Sequence, residues 1–190
     1  MSEPVTAAKC GALLDALRVK KPLVHFITNY VTVNDCANIT LAVGGAPVMS
    51  DQPDDAAEIC RLASALVFNI GTPGDRTLEA MLRAGKAANE AGIPVVLDPV
   101  GAGASSFRNR LLEKLLEEVK FAAVKGNISE IRFLASGTGK SMGVDASKDD
   151  IALGSDSSAV ARLAAGLSRG IGAVVIVSGR IDVAADGERA

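Results

Sequence analysis

The chain has 190 residues, 48% of them apolar and only 3% aromatic, with 19 glycines and a net charge of −2. That length suits one domain with a sizeable core packed by Ala, Val, Leu and Ile, and the near-neutral charge excludes an electrostatic binder of nucleic acid or anionic membrane. Three widely spaced cysteines form neither a metal cluster nor a redox pair, the N-terminus is not a signal peptide, and no apolar run is long enough to span a membrane, so a soluble cytoplasmic protein is expected.

Apolar residues at helical spacing predict a helix over 6–19 with Cys10, Leu13, Leu14 and Leu17 on one face, closed by Lys20-Lys21-Pro22. Residues 23–27 read as a strand ending at Thr28-Asn29, and Thr32 or Asn34 caps a helix that runs to Gly44-Gly45. A strand at 46–49 and a helix at 54–63 follow. A strand at 65–70 then leads to Gly71-Thr72-Pro73, with Thr72 as cap and Pro73 as the first residue of a helix stopped by Gly92. Val95-Val96-Leu97-Asp98 is a buried strand that ends on a carboxylate, and Pro99 with Gly101-Ala102-Gly103 turns the chain into a helix at 107–119. The remainder reads as a strand at 121–124 followed by Lys125-Gly126-Asn127, a helix at 128–135 and a polar surface excursion at 136–154. A helix at 157–168, ended by Gly170, precedes a strand at 173–177 and a further strand at 180–184.

This alternation implies right-handed βαβ crossovers and a mainly parallel sheet with helices on both faces, an α/β layer sandwich forming a single domain over 1–190. The chain closes on the polar turn at 186–190 with no helix behind its last strands, so the domain reads as truncated at its C-terminus.

Two glycine-rich stretches do not carry the chemistry they suggest. Gly101-Ala102-Gly103 begins like a dinucleotide fingerprint, but Ser106 stands at the third glycine position, and Glu117 and Glu118 lie within a helix rather than at a strand end. Gly137-Thr138-Gly139-Lys140-Ser141 ends like a phosphate loop, but Leu134 stands at its first glycine and a helix precedes it. The stronger pattern is dispersed over strand ends. Asp98 is a helix cap or a charge placed for chemistry. Asn127 and Glu130 have the spacing of a capping box, and the same geometry brings Glu130 near Asp98 as a carboxylate pair able to hold hydrated Mg²⁺. Lys125 adds positive charge for a polyphosphate. Met49 reads equally as core, Asn29 as a strand terminator, Ser178-Gly179 as a hairpin turn and His25 as a packed mid-strand residue.

Asn-x-x-Glu after a strand, with an aspartate ending the strand before it, resembles the ribokinase-like superfamily. Thr28-Asn29-Tyr30-Val31-Thr32, Cys36-Ala37-Asn38, Gly44-Gly45-Ala46-Pro47-Val48-Met49, Asn69-Ile70-Gly71-Thr72, Leu97-Asp98-Pro99-Val100-Gly101-Ala102 and Val124-Lys125-Gly126-Asn127 together resemble hydroxyethylthiazole kinases, over roughly Leu23 to Asp182. The resemblance implies a ribokinase-like fold and ATP-dependent phosphorylation of the primary alcohol of 4-methyl-5-(2-hydroxyethyl)thiazole, a thiamine precursor. It implies Met49, Asn29, Gly71 and Thr72 for the thiazole, Lys125, Asn127 and Ser178 for ATP, and Asp98 and Glu130 for Mg²⁺. It also implies a homotrimer with sites at subunit contacts. The family's Gly-rich anion hole lies downstream of the Ser178 segment, and nothing in 180–190 matches it, so the catalytic residue is expected beyond Ala190. A hydroxymethylpyrimidine or sugar kinase, or a catalytically silent ligand-binding module, are the alternative readings.

Overall fold

Apolar runs too short for helices alternate with helical stretches closed by glycines, and they fold as α1 (Ala7–Lys20), β1 (Leu23–Ile27), α2 (Val33–Val43), β2 (Ala46–Met49), α3 (Pro53–Leu62), β3 (Ala65–Asn69) and α4 (Asp75–Ala91). The second half continues with β4 (Val95–Asp98), α5 (Ser106–Glu118), β5 (Ala123–Asn127), α6 (Ile128–Ala135), α7 (Ser157–Ile171), β6 (Val174–Ser178) and β7 (Val183–Ala185). The structure, a computed structural model, describes residues 6–137 and 156–190. The excursion expected at 136–154, with the Gly137-to-Ser141 motif, falls outside the described residues from residue 138 onward.

The strands form one seven-stranded sheet in the order β2-β1-β3-β4-β5-β6-β7, parallel throughout except for β7, which runs antiparallel to β6. Side chains alternate along a strand, and Leu66, Phe68, Val95, Leu97, Val124, Val175 and Val177 share the buried face of the inner strands, while Val67, Val96, Ala123 and Ile176 on the opposite face are half-buried. Phe68 meets Phe121 edge-on, with ring centroids 6.3 Å apart. From β1 the chain steps outward to β2, then returns past β1 to β3 and continues the other way, so the topological switch lies between β1 and β3. In such sheets the crevice for a ligand opens at that point, beyond the carboxyl ends of the strands.

Several boundaries depart from the sequence expectation. Thr72 and Pro73 do not start α4: Gly74 is its N-cap, because 71–74 form a turn in which the Thr72 hydroxyl accepts from the Tyr30 N–H at 3.3 Å. The Lys125-Gly126-Asn127 segment belongs to β5 itself, paired with β6 through Asn127 opposite Ser178. Gly170 does not end α7, which reaches Ile171 and closes on left-handed Gly172. The last strand starts at Val183 rather than at 180, since Asp182 closes the preceding turn by accepting from the Gly179 N–H at 2.9 Å. Finally, α1 forms where its periodicity predicts, but none of its residues is buried, and Leu13 remains 72% exposed.

Within α4, Gly85 permits close approach to α5: a Cβ there would stand 2.6 Å from Cγ2 of the buried, β-branched Val119. Gly85→Ala therefore gains about 1 kcal/mol of helix propensity but overpacks a stiff neighbour at a cost of about 1–3 kcal/mol. The expected outcome is a lower thermal unfolding midpoint, measured by circular dichroism.

Candidate active site at the strand ends

Asn69 and Asp98 end neighbouring parallel strands in register, so their side chains meet. Nδ2 of Asn69 donates to Oδ2 of Asp98 at 2.7 Å. Oδ1 of Asn69 accepts from the Gly71 N–H and from Nδ2 of Asn29, each at 2.9 Å. Asn29 in turn accepts on its Oδ1 from the N–H groups of Val31 and Thr32 at 2.9 and 3.0 Å. Gly71 has to be glycine because of this crowding: a Cβ there would lie 2.9 Å from Oδ1 of Asn69 and 3.1 Å from Cβ of Asn29. Of the residues expected to touch the thiazole, Asn29, Gly71 and Thr72 thus converge on the switch point between β1 and β3.

Glu130 is buried, and both of its oxygens already accept backbone donors. Oε2 takes the Asn127 N–H at 2.8 Å while Oδ1 of Asn127 takes the Glu130 N–H at 2.9 Å, completing a capping box at the start of α6. Oε1 takes the Gly101 N–H at 3.0 Å, tying the β4–α5 turn to α6. In that turn Gly103 donates to Oδ1 of Asn109 at 2.9 Å, and Ala102 and Ala104 donate to the carbonyls of Pro99 and Gly101 at 2.9 and 3.0 Å. With the N–H groups of residues 101–104 consumed inside the protein, the turn is no cradle for a dinucleotide phosphate.

Asp98 is half-buried. Desolvation raises its carboxyl above the ordinary carboxylate range, Glu130 adds to the rise, and Lys125 and the Asn69 hydrogen bond oppose it. Among the described residues no hydrogen bond reaches its Oδ1, which leaves that oxygen available to a ligand. The Ser178 hydroxyl donates to the Gly126 carbonyl at 3.2 Å, so Asp98, Asn127 and Ser178 occupy the ends of three adjacent strands, with Lys125 exposed beside them.

Arg108, which the sequence reading did not single out, clamps this edge. One guanidinium nitrogen donates to the carbonyls of Ile70 and Val100 at 2.5 and 2.9 Å, and the other to Gly71 at 2.9 Å. Its signal is only its place one turn into α5, where the Ser105 hydroxyl accepts the Arg108 N–H.

Met49 stands apart from this cluster. It lines a cavity of about 190 Å³ with Phe26, Thr28, Tyr30, Val33, Ser50 and Asp51. Three strand spacings, about 14 Å, separate edge strand β2 from β4. His25 lies fully buried beneath the cavity's rim with its Nε2 2.9 Å from the Ser50 carbonyl, and burial lowers its pKa, which makes it a neutral donor to that carbonyl.

The fold is that of an open α/β domain, a class in which the ligand crevice opens at the switch point beyond the carboxyl ends of the strands. Residues 14–190 match the model of the hydroxyethylthiazole kinase family. The chain is 52% identical to a hydroxyethylthiazole kinase of Clostridium beijerinckii over 95% of its own length and 65% of the relative's. It is 54% identical to one of Desulfovibrio desulfuricans over 91% of its length and 61% of the relative's. A solved hydroxyethylthiazole kinase structure from Pyrococcus horikoshii superposes with a TM-score of 0.80 at 36% identity, covering 93% of this chain and 63% of that one. The chain belongs to the hydroxyethylthiazole kinase family and has its ribokinase-like fold, and it spans somewhat under two thirds of the length of these relatives.

Two outcomes follow from the site's energetics. Since folding raises the Asp98 pKa, the ionised carboxylate costs stability at neutral pH, a cost that vanishes as pH falls through the carboxylate range near about 4. Metal-free Asp98→Asn protein, which keeps an acceptor for Asn69, melts above wild type at neutral pH, and the gap closes on acidification. Arg108→Ala leaves three carbonyls without their donor and lowers stability by about 2 kcal/mol in urea titration, while Arg108→Lys, lacking the planar fork, recovers only part of it.

Proposed function

We propose that this chain carries the binding and orienting part of a hydroxyethylthiazole kinase. It transfers the terminal phosphoryl group of MgATP to the primary alcohol of 4-methyl-5-(2-hydroxyethyl)thiazole, a reaction of thiamine salvage in the cytoplasm. The observation that carries this reading is the convergence of Asp98, Lys125, Asn127 and Ser178 on three neighbouring strand ends in a chain matched to that family over 14–190.

Each residue has a role that its chemistry supports. Lys125, exposed and close enough to oppose the rise in the Asp98 pKa, offers charge to a polyphosphate. Asn127 and Ser178 line the same edge for the nucleotide. Asp98, with one oxygen held by Asn69, and Glu130, whose oxygens each retain a second lone pair, form the hard oxygen set that suits Mg²⁺. Among the described residues no group of three or more His, Cys, Asp or Glu surrounds a cation position, so water and phosphate oxygens would complete the shell. Mg²⁺ bound there supplies charge neutralisation on the transferring phosphoryl group. The chain's own residues bind and orient. His25 is not the base for the alcohol, because it is fully buried, its Nε2 donates to the Ser50 carbonyl and its Nδ1 is sealed inside the protein away from any substrate.

The distance from Met49 to Asp98 supports a homotrimer with its sites at subunit contacts. Leu13, Val19, Tyr30, Val31, Ile39 and Leu41 are exposed on α1, α2 and the β1–α2 turn, apolar surface on the flank of the chain that carries β2, where Tyr30 also lines the Met49 cavity. Covering that flank with a second copy completes the cavity and brings a thiazole in it to a neighbour's phosphate site.

Purified full-length protein is expected to transfer phosphate from ATP to hydroxyethylthiazole in preference to hydroxymethylpyrimidine or sugar alcohols. No transfer above a no-enzyme control overturns the kinase reading, and calorimetric binding without turnover assigns the chain to a silent ligand-binding module. Lys125→Ala is expected to raise the KM for ATP about tenfold, the loss of one charge-assisted contact, with the thiazole KM unchanged in steady-state assays.

A further inference from the structure

Asn69 sits in no expected role, yet its side chain bonds both to Asn29 in the turn after β1 and to Asp98 at the end of β4. Its orientation is forced. The Gly71 N–H can only donate, so it must face Oδ1; an ionised Asp98 can only accept, so it must face Nδ2. Oδ1 of Asn69 then takes Nδ2 of Asn29, which leaves Oδ1 of Asn29 for the two N–H groups of the turn at 31 and 32 and for the Thr32 hydroxyl at 3.2 Å. The bonds that lead from the turn N–H groups through Asn29 and Asn69 all point towards the Asp98 carboxylate, while Nδ2 of Asn29 also donates back to the Thr32 hydroxyl at 3.0 Å. Asn69 and Asn29 are largely withdrawn from water, so reversing one member leaves like groups facing each other at a cost no solvent repays.

We propose that Asn69 is a positioning residue whose hydrogen-bond polarity makes the turn carrying Tyr30 and the Asp98 carboxylate one rigid unit, so that thiazole affinity depends on a residue that does not touch the thiazole. Thr28, Tyr30 and Val33, which line the Met49 cavity, flank or belong to this turn, and Tyr30 is held a second time through its N–H on Thr72. At its other end the same side chain occupies Oδ2 of Asp98 and so determines which carboxylate oxygen is left for a ligand. The inference rests on the Met49 cavity being the thiazole site, as proposed above.

The test is a reciprocal swap. Asn69→Asp presents a carboxylate oxygen to Asp98; Asp98→Asn keeps an amide carbonyl as acceptor for Asn69; the double variant restores a matched donor and acceptor between the two positions, with the new amide at 98 donating to the carboxylate at 69, while the new carboxylate still accepts from Asn29 and Gly71. Hydroxyethylthiazole binding is measured by calorimetry without nucleotide or metal, and the thermal unfolding midpoint is measured without any ligand. Asn69→Asp is expected to weaken thiazole binding by at least about tenfold and to lower the midpoint, whereas Asp98→Asn retains thiazole affinity and loses Mg²⁺-dependent turnover. The double variant is expected to regain thiazole affinity and midpoint but not turnover, because its carboxylate has moved one strand away.

Recovery in the double variant is what a residue serving only as packing would not give. Wild-type affinity in Asn69→Asp, or a double variant no better than Asn69→Asp, overturns the inference. Should Asn69→Asp fail to fold, folding of the double variant supports it and failure of both overturns it. If wild type binds no thiazole, the functional reading falls, and the ligand-free midpoints alone decide whether the polarity holds the crevice together.

Discussion

At the carboxyl ends of a parallel sheet the backbone ladder stops, and every loop leaving a strand carries N–H and C=O groups that must find other partners. This constraint organises the site. Side chains with matched donors and acceptors take over from the ladder: Asn29 for the turn after β1, Asn69 for the turn after β3, Glu130 and Asn109 for the turn after β4, and Arg108 for three carbonyls across two of those turns. Each of them ties a loop to an element other than its own strand. The edge of the sheet thereby becomes rigid before any ligand is present, which is the condition for orienting a phosphoryl donor and its acceptor.

The same constraint explains why residues that look available for ligands are partly engaged. Glu130 closes a capping box and holds the Gly101 turn, so its first duty is to the backbone. Gly101 and Gly103 adopt positive φ, +74° and +87°, because the turn must reverse within a few residues while feeding its N–H groups inward. A glycine-rich turn after a strand therefore does not by itself make a phosphate cradle; the direction of its N–H groups decides.

Two regions of the edge differ in kind. The centre, from Asn69 across to Ser178, is polar and cross-linked, whereas the β2 side holds Met49, Tyr30 and an uncovered apolar flank on α1 and α2. Asn69 lies on the border between them, since it bonds both to the Asn29 turn and to Asp98. Three strand spacings, about 14 Å, separate the Met49 side from Asp98 along the edge of the sheet.

The sequence alone determined the alternation of strands and helices, the parallel sheet and the family, because apolar runs, helix-closing glycines such as Gly92 and ordered motifs are local signals. It also marked Asp98, Asn127 and Glu130, since a carboxylate at a strand end and a capping box are written in adjacent residues. It placed the start of α4 too early, because Thr72 is a good cap in isolation and only tertiary structure showed its hydroxyl committed to Tyr30. Arg108 and Asn69 were not legible as site residues, as their partners lie about 30 to 40 positions away and become neighbours only through strand register and crossover. Helical spacing specified the apolar face of α1, but only the packed chain decides whether anything covers it, and none of its residues is buried.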